Sequence, residues 1–145
     1  MTKEAEHSPI KLRACSLEDL SLISALLQDA IVPIGDIAFL RDEKSFVLVA
    51  SRYCWEYDNK GSGLRVLSGL RFDSVTRAVS REIDRRDRNQ FLELLSINYS
   101  DGFVAIHFSR GGAIRLEVER LNVAVQDLAE PHPTTYQPRH SDNWT

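Results

Sequence analysis

The chain has 145 residues, 43% hydrophobic and 27% charged, with 18 basic and 21 acidic side chains and a formal net charge of −3. That fits one soluble domain able to bury about 70% of its unfolded surface. Seven glycines and five prolines exclude a low-complexity or collagenous chain, no apolar run approaches the ~18 residues of a membrane span, and the near balance of charge argues against a dedicated polyanion binder.

Residues 1–9 are polar and read as an N-terminal tail. They lack an apolar h-region, so no secretory signal is expected and the expected location is cytoplasmic. Residues 10–129 read as one domain, opening with a strand candidate at 10–15. Ser16 is placed as an N-cap, with Asp19 three residues on. Leu17, Leu20, Ile23, Leu27 and Ala30 recur at helical spacing and predict an amphipathic helix of about four turns that Pro33 ends.

Strands follow. Residues 36–40 are one candidate and SFVLVASRYCWEY the next, closed by the DNKGSG loop. LRVLSGLRF alternates with Leu70 and Phe72 on one parity and Arg65 and Arg71 on the other. Residues 74–84 suit a helix face as well as a strand; their Val, Thr and Ile content favours the strand. FLELLSINY is a further strand. Val104, Ile106 and Phe108 alternate into a Gly111-Gly112 turn, with Ile114, Leu116 and Val118 on the return. The parity switches before Leu121, which predicts a bulge or corner near Glu119 that carries the chain to another sheet. Residues 130–145, with three prolines, read as a C-terminal tail.

The fold class is therefore α+β: one N-terminal amphipathic helix packed on a strongly curved, mainly antiparallel sheet or partly open barrel of about eight strands. The expected core is Leu20, Ile23, Leu27, Phe46, Leu48, Leu70, Phe72, Leu95, Ile97, Ile106, Phe108, Leu116 and Val118.

No phosphate-binding, dinucleotide or nucleophile-elbow motif is present. Two cysteines, Cys15 and Cys54, do not make a disulfide framework and read as reduced, buried, small apolar residues. The histidines are His7, His107, His132 and His140; their spacing supports no metal site, and His107 reads as a strand histidine on the face opposite Ile106. No cofactor and no catalytic constellation is expected.

Arginines outnumber lysines, 14 to 4. Arg77, Arg81, Arg85, Arg86 and Arg88 cluster, and odd parity aligns Arg71, Arg77 and Arg81 if the strands run through. Arg71, Arg77, Arg81 and Arg85 are the candidates for anion contact. Interleaved Asp73, Glu82, Asp84 and Asp87 argue for surface salt bridges instead, so nucleic acid is the weaker reading. Tyr53, Trp55 and Tyr57 share a strand face, with core packing expected for Trp55. The three rings and Trp144 are also candidates for a partner surface.

The segments LEDLSLISALLQDAI, GDIAFL, FVLVASRYCWE, LRVLSGLRFDSV and GGAIRLEVERLNVAVQDL resemble, in this order, a bacterial family of small proteins known as domain of unknown function 2948. The resemblance covers about residues 12–128. It implies a standalone cytoplasmic bacterial protein and brings no activity or cofactor with it. It points to Arg52, the Trp55-Glu56 pair and the Gly111-Gly112 turn as places to look.

Three functions are open. The first is a non-enzymatic binding or assembly domain, acting on a protein partner or as a homodimer through a sheet edge, the aromatic face or the tail. The second is a small-ligand protein or enzyme with a pocket between helix and sheet, using Asp36, Arg52, Glu56 and His107. The third is nucleic-acid contact through residues 71–88. None involves a membrane.

Overall fold

The computed structural model describes residues 9–55 and 63–129. The N-cap is as expected: the Ser16 Oγ accepts the Asp19 N–H at 3.2 Å, and Glu18 and Asp19 occupy the first turn of helix α1, Leu17–Leu26. The carboxylates there answer the positive end of the helix dipole. The helix is shorter than its periodicity predicts. Asp29 adopts a left-handed φ of 68°, its N–H donates to the Leu94 carbonyl at 2.8 Å, and the Leu94 N–H returns to Ala30 at 2.9 Å. The chain is thus drawn into the sheet before Pro33, which lies in a strand rather than after a helix.

The strands are β1 (Lys11–Ala14), β2 (Ile31–Pro33), β3 (Ile37–Leu40), β4 (Ser45–Tyr53), β5 (Arg65–Phe72), β6 (Val75–Arg81), β7 (Phe91–Ser100), β8 (Phe103–Phe108), β9 (Ala113–Val118) and β10 (Val123–Asp127). Residues 75–81 are therefore strand, as the β-branched content requires. All pairings are antiparallel, in the order β1-β10-β5-β4-β2-β7-β8-β9-β6, with β3 beside β4. The sheet does not close. The count is ten strands rather than about eight. The strand that sequence reading missed after the helix is β2, three residues hidden behind the helical pattern.

Two devices bend the sheet. On β7, Leu94 pairs with Phe108 and Ser96 with His107, so Leu95 is an extra residue. The bulge turns both Leu94 and Ile97 inward and leaves Leu95 44% exposed, against its expected place in the core. The second device is the corner after β9. Glu119 donates to the Ser74 carbonyl at 2.9 Å, and the chain passes from the β6 side to β5 and β1, as the parity switch predicts.

One continuous apolar cluster joins both halves of the sheet to Leu20, Ile23 and Leu27 of α1. The interior between helix and sheet is filled by these side chains. Ser24 anchors the helix to β7 by accepting the Ile97 N–H at 2.9 Å. The other expected core residues are buried, except that Val118 is only partly so. Cys54 is buried but Cys15 is exposed, contrary to expectation, because it follows the edge strand β1; neither forms a disulfide. Among the described residues no helix is long and apolar enough to cross a membrane.

Candidate functional site

The outer surface of β6 and the groove beside it carry the densest set of candidate residues. β6 pairs with β9 through Arg77↔Glu117, Val79↔Arg115 and Arg81↔Ala113, and β9 continues to β8 through Glu117↔Phe103, Arg115↔Ala105 and Ala113↔His107. Strand alternation puts Ala78, Ile114, Leu116 and Ile106 in the core. It therefore turns Arg77, Val79, Arg81, Arg115 and His107 outward. They line a shallow depression of about 440 Å³, with Glu117 as its carboxylate. The Arg77 guanidinium meets Glu117 at 3.3 Å, and that of Arg115 lies 4.1 Å from the centre of the Phe103 ring.

The other side of β6 is an edge. Among the described strands β6 pairs only with β9, and β3 only with β4. Beside β6 runs a groove of about 520 Å³ lined by Phe39, Arg41, Thr76, Arg77, Val79 and Arg85; β3 itself is buried, with Ile37, Ala38 and Phe39 exposed by 4% or less. At the start of β6 the Val75 N–H donates to the Lys44 carbonyl at 2.8 Å, and before β3 the Ile34 N–H donates to the Gln90 carbonyl at 2.9 Å. Among the described residues β3 and β6 do not pair with each other. Phe39 supplies an apolar floor, with the Arg41 guanidinium 5.5 Å from its ring centre.

The structure thus brings Arg77, Arg81, Arg85 and His107 to the two sides of β6, and adds Arg115, Arg41 and Phe103. Arg71 does not join them. It lies on β5 and is bound to Asp73 at 2.8 Å, to Ser45 at 2.8 Å and to Glu43 at 3.5 Å. The hydrogen bond to Asp73 holds its guanidinium above the ordinary value. Residues 71 and 77 share a parity, but the corner at Ser74, with a φ of 60°, places them in different halves of the sheet. Two of the interleaved acids form the expected ion pairs, Asp73 with Arg71 at 2.8 Å and Asp84 with Arg86 at 3.5 Å.

Of the second expected site, the described members Asp36, Arg52 and His107 are not brought together. Arg52 is fully buried, and its Nε and Nη2 donate to the Asp127 oxygens at 3.1 and 2.9 Å. The same carboxylate accepts the Ser68 hydroxyl at 2.7 Å and the Ile10 N–H at 2.9 Å. Burial alone would raise the Asp127 carboxyl. The hydrogen bonds from Arg52, Ile10 and Ser68, with the Arg52 charge, outweigh it and hold the group below the usual carboxylate range. Asp36 is buried in the turn between β2 and β3, and His107 faces outward on β8. Two of the three are buried at separate places and the third faces outward, so they do not converge on one cavity.

Tyr53 and Trp55 do meet, edge to face with ring centres 4.7 Å apart, where β4 ends. Trp55 is 41% exposed, so it is not a core residue: the strand stops at Tyr53 and releases it. Glu56, Tyr57 and Trp144, with His7, His132 and His140, lie outside the described residues. No group of three or more His, Cys, Asp or Glu among the described residues is placed to hold a metal ion.

Sequence reading missed Asp127, Arg115 and Arg41. Asp127 carried a signal: it falls on the inward parity of Val123 and Val125. Arg115 and Arg41 carried none, because only the strand order brings them to β6. Comparison with curated proteins and with solved structures finds no match. The model of one family, described as "Protein of unknown function (DUF2948)", matches residues 10–140, and the chain belongs to that family.

Proposed function

We propose that this chain is a non-enzymatic binding domain that receives an extended segment of a partner protein as an added strand on the edge of β6. The observation that carries the reading is that edge: among the described strands β6 pairs on one side only, with Thr76, Arg77 and Val79 exposed beside the groove. On a strand paired from one side, alternate N–H and C=O groups point away from the partner, and they are a ready template for another chain. Charged side chains on an edge strand also serve to deter unwanted pairing. Here the edge is flanked by a groove of about 520 Å³.

Site-specific photo-crosslinking tests this in the protein's own cells. A photoreactive side chain at Thr76, in the groove, is expected to give adducts that map to one segment of one partner protein. The same group at Gln126, exposed on β10, serves as the control. Equal adducts at both positions, or none at Thr76, would remove the reading.

A second reading is polyanion contact at the outer face, favoured by the gathering of Arg77, Arg81, Arg115 and His107 beside Phe103. It requires binding of single-stranded nucleic acid that weakens steeply with salt. Absence of binding at low salt would end it.

A further inference from the structure

We infer that residues 130–140 of this chain lie across the outer face of β10, β5 and β4, with the Tyr136 ring seated among Ala124, Val47 and Val49. This face is separate from the edge of β6, and the inference does not rest on the strand-addition reading.

The face has a small, apolar floor. Strand alternation buries Val125, Leu70 and Leu48 and turns Ala124, Gly69, Val47 and Val49 outward, where each stays partly exposed. The register sets Gly69 between Gln126 and Val49, and Arg71 between Ala124 and Val47. Short side chains at the centre leave a depression of about 620 Å³. The Arg71 guanidinium on its border is already engaged by Asp73 and Ser45, and that of Arg13 by Asn122. The depression therefore suits an apolar ring rather than an anion.

β10 delivers the following segment to this face. Beyond the strand, the Leu128 N–H donates to the Leu67 carbonyl at 2.8 Å. The Leu128 side chain already lies on the outer side: a Cβ on Gly69 would stand 3.4 Å from its Cδ1. Leu128 is still 56% exposed and borders the depression. The family match continues to residue 140, past the last strand. Crossing from β10 to β4 takes about 10 Å, and residues 130–140 in polyproline form span about 34 Å. Pro131, Pro133 and Pro138 fix the backbone in extended form and lower the entropy lost on docking. Tyr136 is the aromatic residue of the stretch and carries its largest apolar area. The tether also keeps the ring at an effective concentration near millimolar, which favours this segment over a free partner.

The test is nuclear magnetic resonance on the full chain with labelled Val and Leu methyl groups. Nuclear Overhauser contacts are expected from the Tyr136 ring to the Val47 and Val49 methyls, and backbone order parameters above about 0.6 at Thr134, Thr135 and Gln137. Tyr136→Ala is expected to move both methyl resonances and drop those order parameters below about 0.6, with the β8 and β9 amides unchanged. Tyr136→Phe keeps the contacts.

Absence of the ring contacts in the native chain overturns the inference, whatever the order parameters. Contacts seen only between differently labelled chains in a mixed sample overturn it in favour of a second copy as the host. Methyl resonances that follow Trp144→Ala and ignore Tyr136→Ala overturn it as well. Each of these outcomes leaves the reading of the β6 edge untouched.

Discussion

Arg52 and Asp127 show what one buried pair does for a sheet of this size. The guanidinium on β4 and the carboxylate on β10 close a network with Ser68 on β5 and the Ile10 backbone before β1, so one site ties four consecutive strands. Removing one partner leaves the other charged and dry. Asp127→Ala is expected to cost about 3–5 kcal/mol, read from urea unfolding. The pH dependence follows from the lowered carboxyl of Asp127. A carboxyl held lower in the folded than in the unfolded chain stabilises fully above the unfolded value, about 3.9, and loses that contribution as the pH falls through the folded one. The stability gap between the native chain and Asp127→Asn is therefore expected to be constant near neutrality and to shrink under acid. A gap that widens below pH ~4 would show the sign to be wrong. Both residues were legible as anomalies: Arg52 shares the inward parity of Phe46, Leu48 and Ala50, and Asp127 that of Val125. That they meet was not legible, because 75 residues separate them.

Single elements decide where the exposed surfaces lie. The bulge on β7 makes neighbouring leucines unequal: Leu94 is fully buried and Leu95 is not. Leu94→Ala is expected to cost about 2–5 kcal/mol, while Leu95→Ser stays within about 0.5 kcal/mol. Chemical denaturation of the two variants checks both, and similar losses would mean that no bulge redirects the strand. The β8–β9 turn gives its two glycines different duties. Gly111 takes a left-handed φ of 81°, and Arg110 beside it 66°. Gly112 has an ordinary backbone, but a Cβ there would stand 3.2 Å from Ile83 Cγ1. Gly111→Ala is expected to lose about 1 kcal/mol through backbone strain, seen as a lower midpoint in thermal unfolding. The sequence reading gave both glycines to one tight turn; only the position of Ile83 shows that the second is there for close approach.

At the scale of the whole molecule, the two halves of the sheet share β7 and one apolar cluster. Neither half has a core of its own. Unfolding is therefore expected to be a single cooperative transition, with tryptophan fluorescence and far-ultraviolet circular dichroism coincident across the denaturant range. Separate midpoints would show that the β1-β10-β5-β4 part folds independently. The groove beside β6 draws its lining also from Phe39, Arg41 and Arg85, so it is a feature of the assembled molecule rather than of one strand.

The amino-acid sequence by itself determined the local elements. Period-two alternation marked most of the strands, the Ser16 cap marked the start of the helix, and the parity change after Val118 marked the corner. These signals lie within a few residues of one another, so a linear reading reaches them. The tertiary structure alone decided the helix end, where Leu94 captures the backbone at Asp29, and the neighbours of each arginine. Strand order is set by which apolar faces close over a common core, and that depends on contacts across the whole chain. It separated Arg71 from Arg77, brought Arg115 and Arg41 to β6, and left β6 paired on one side only among the described strands.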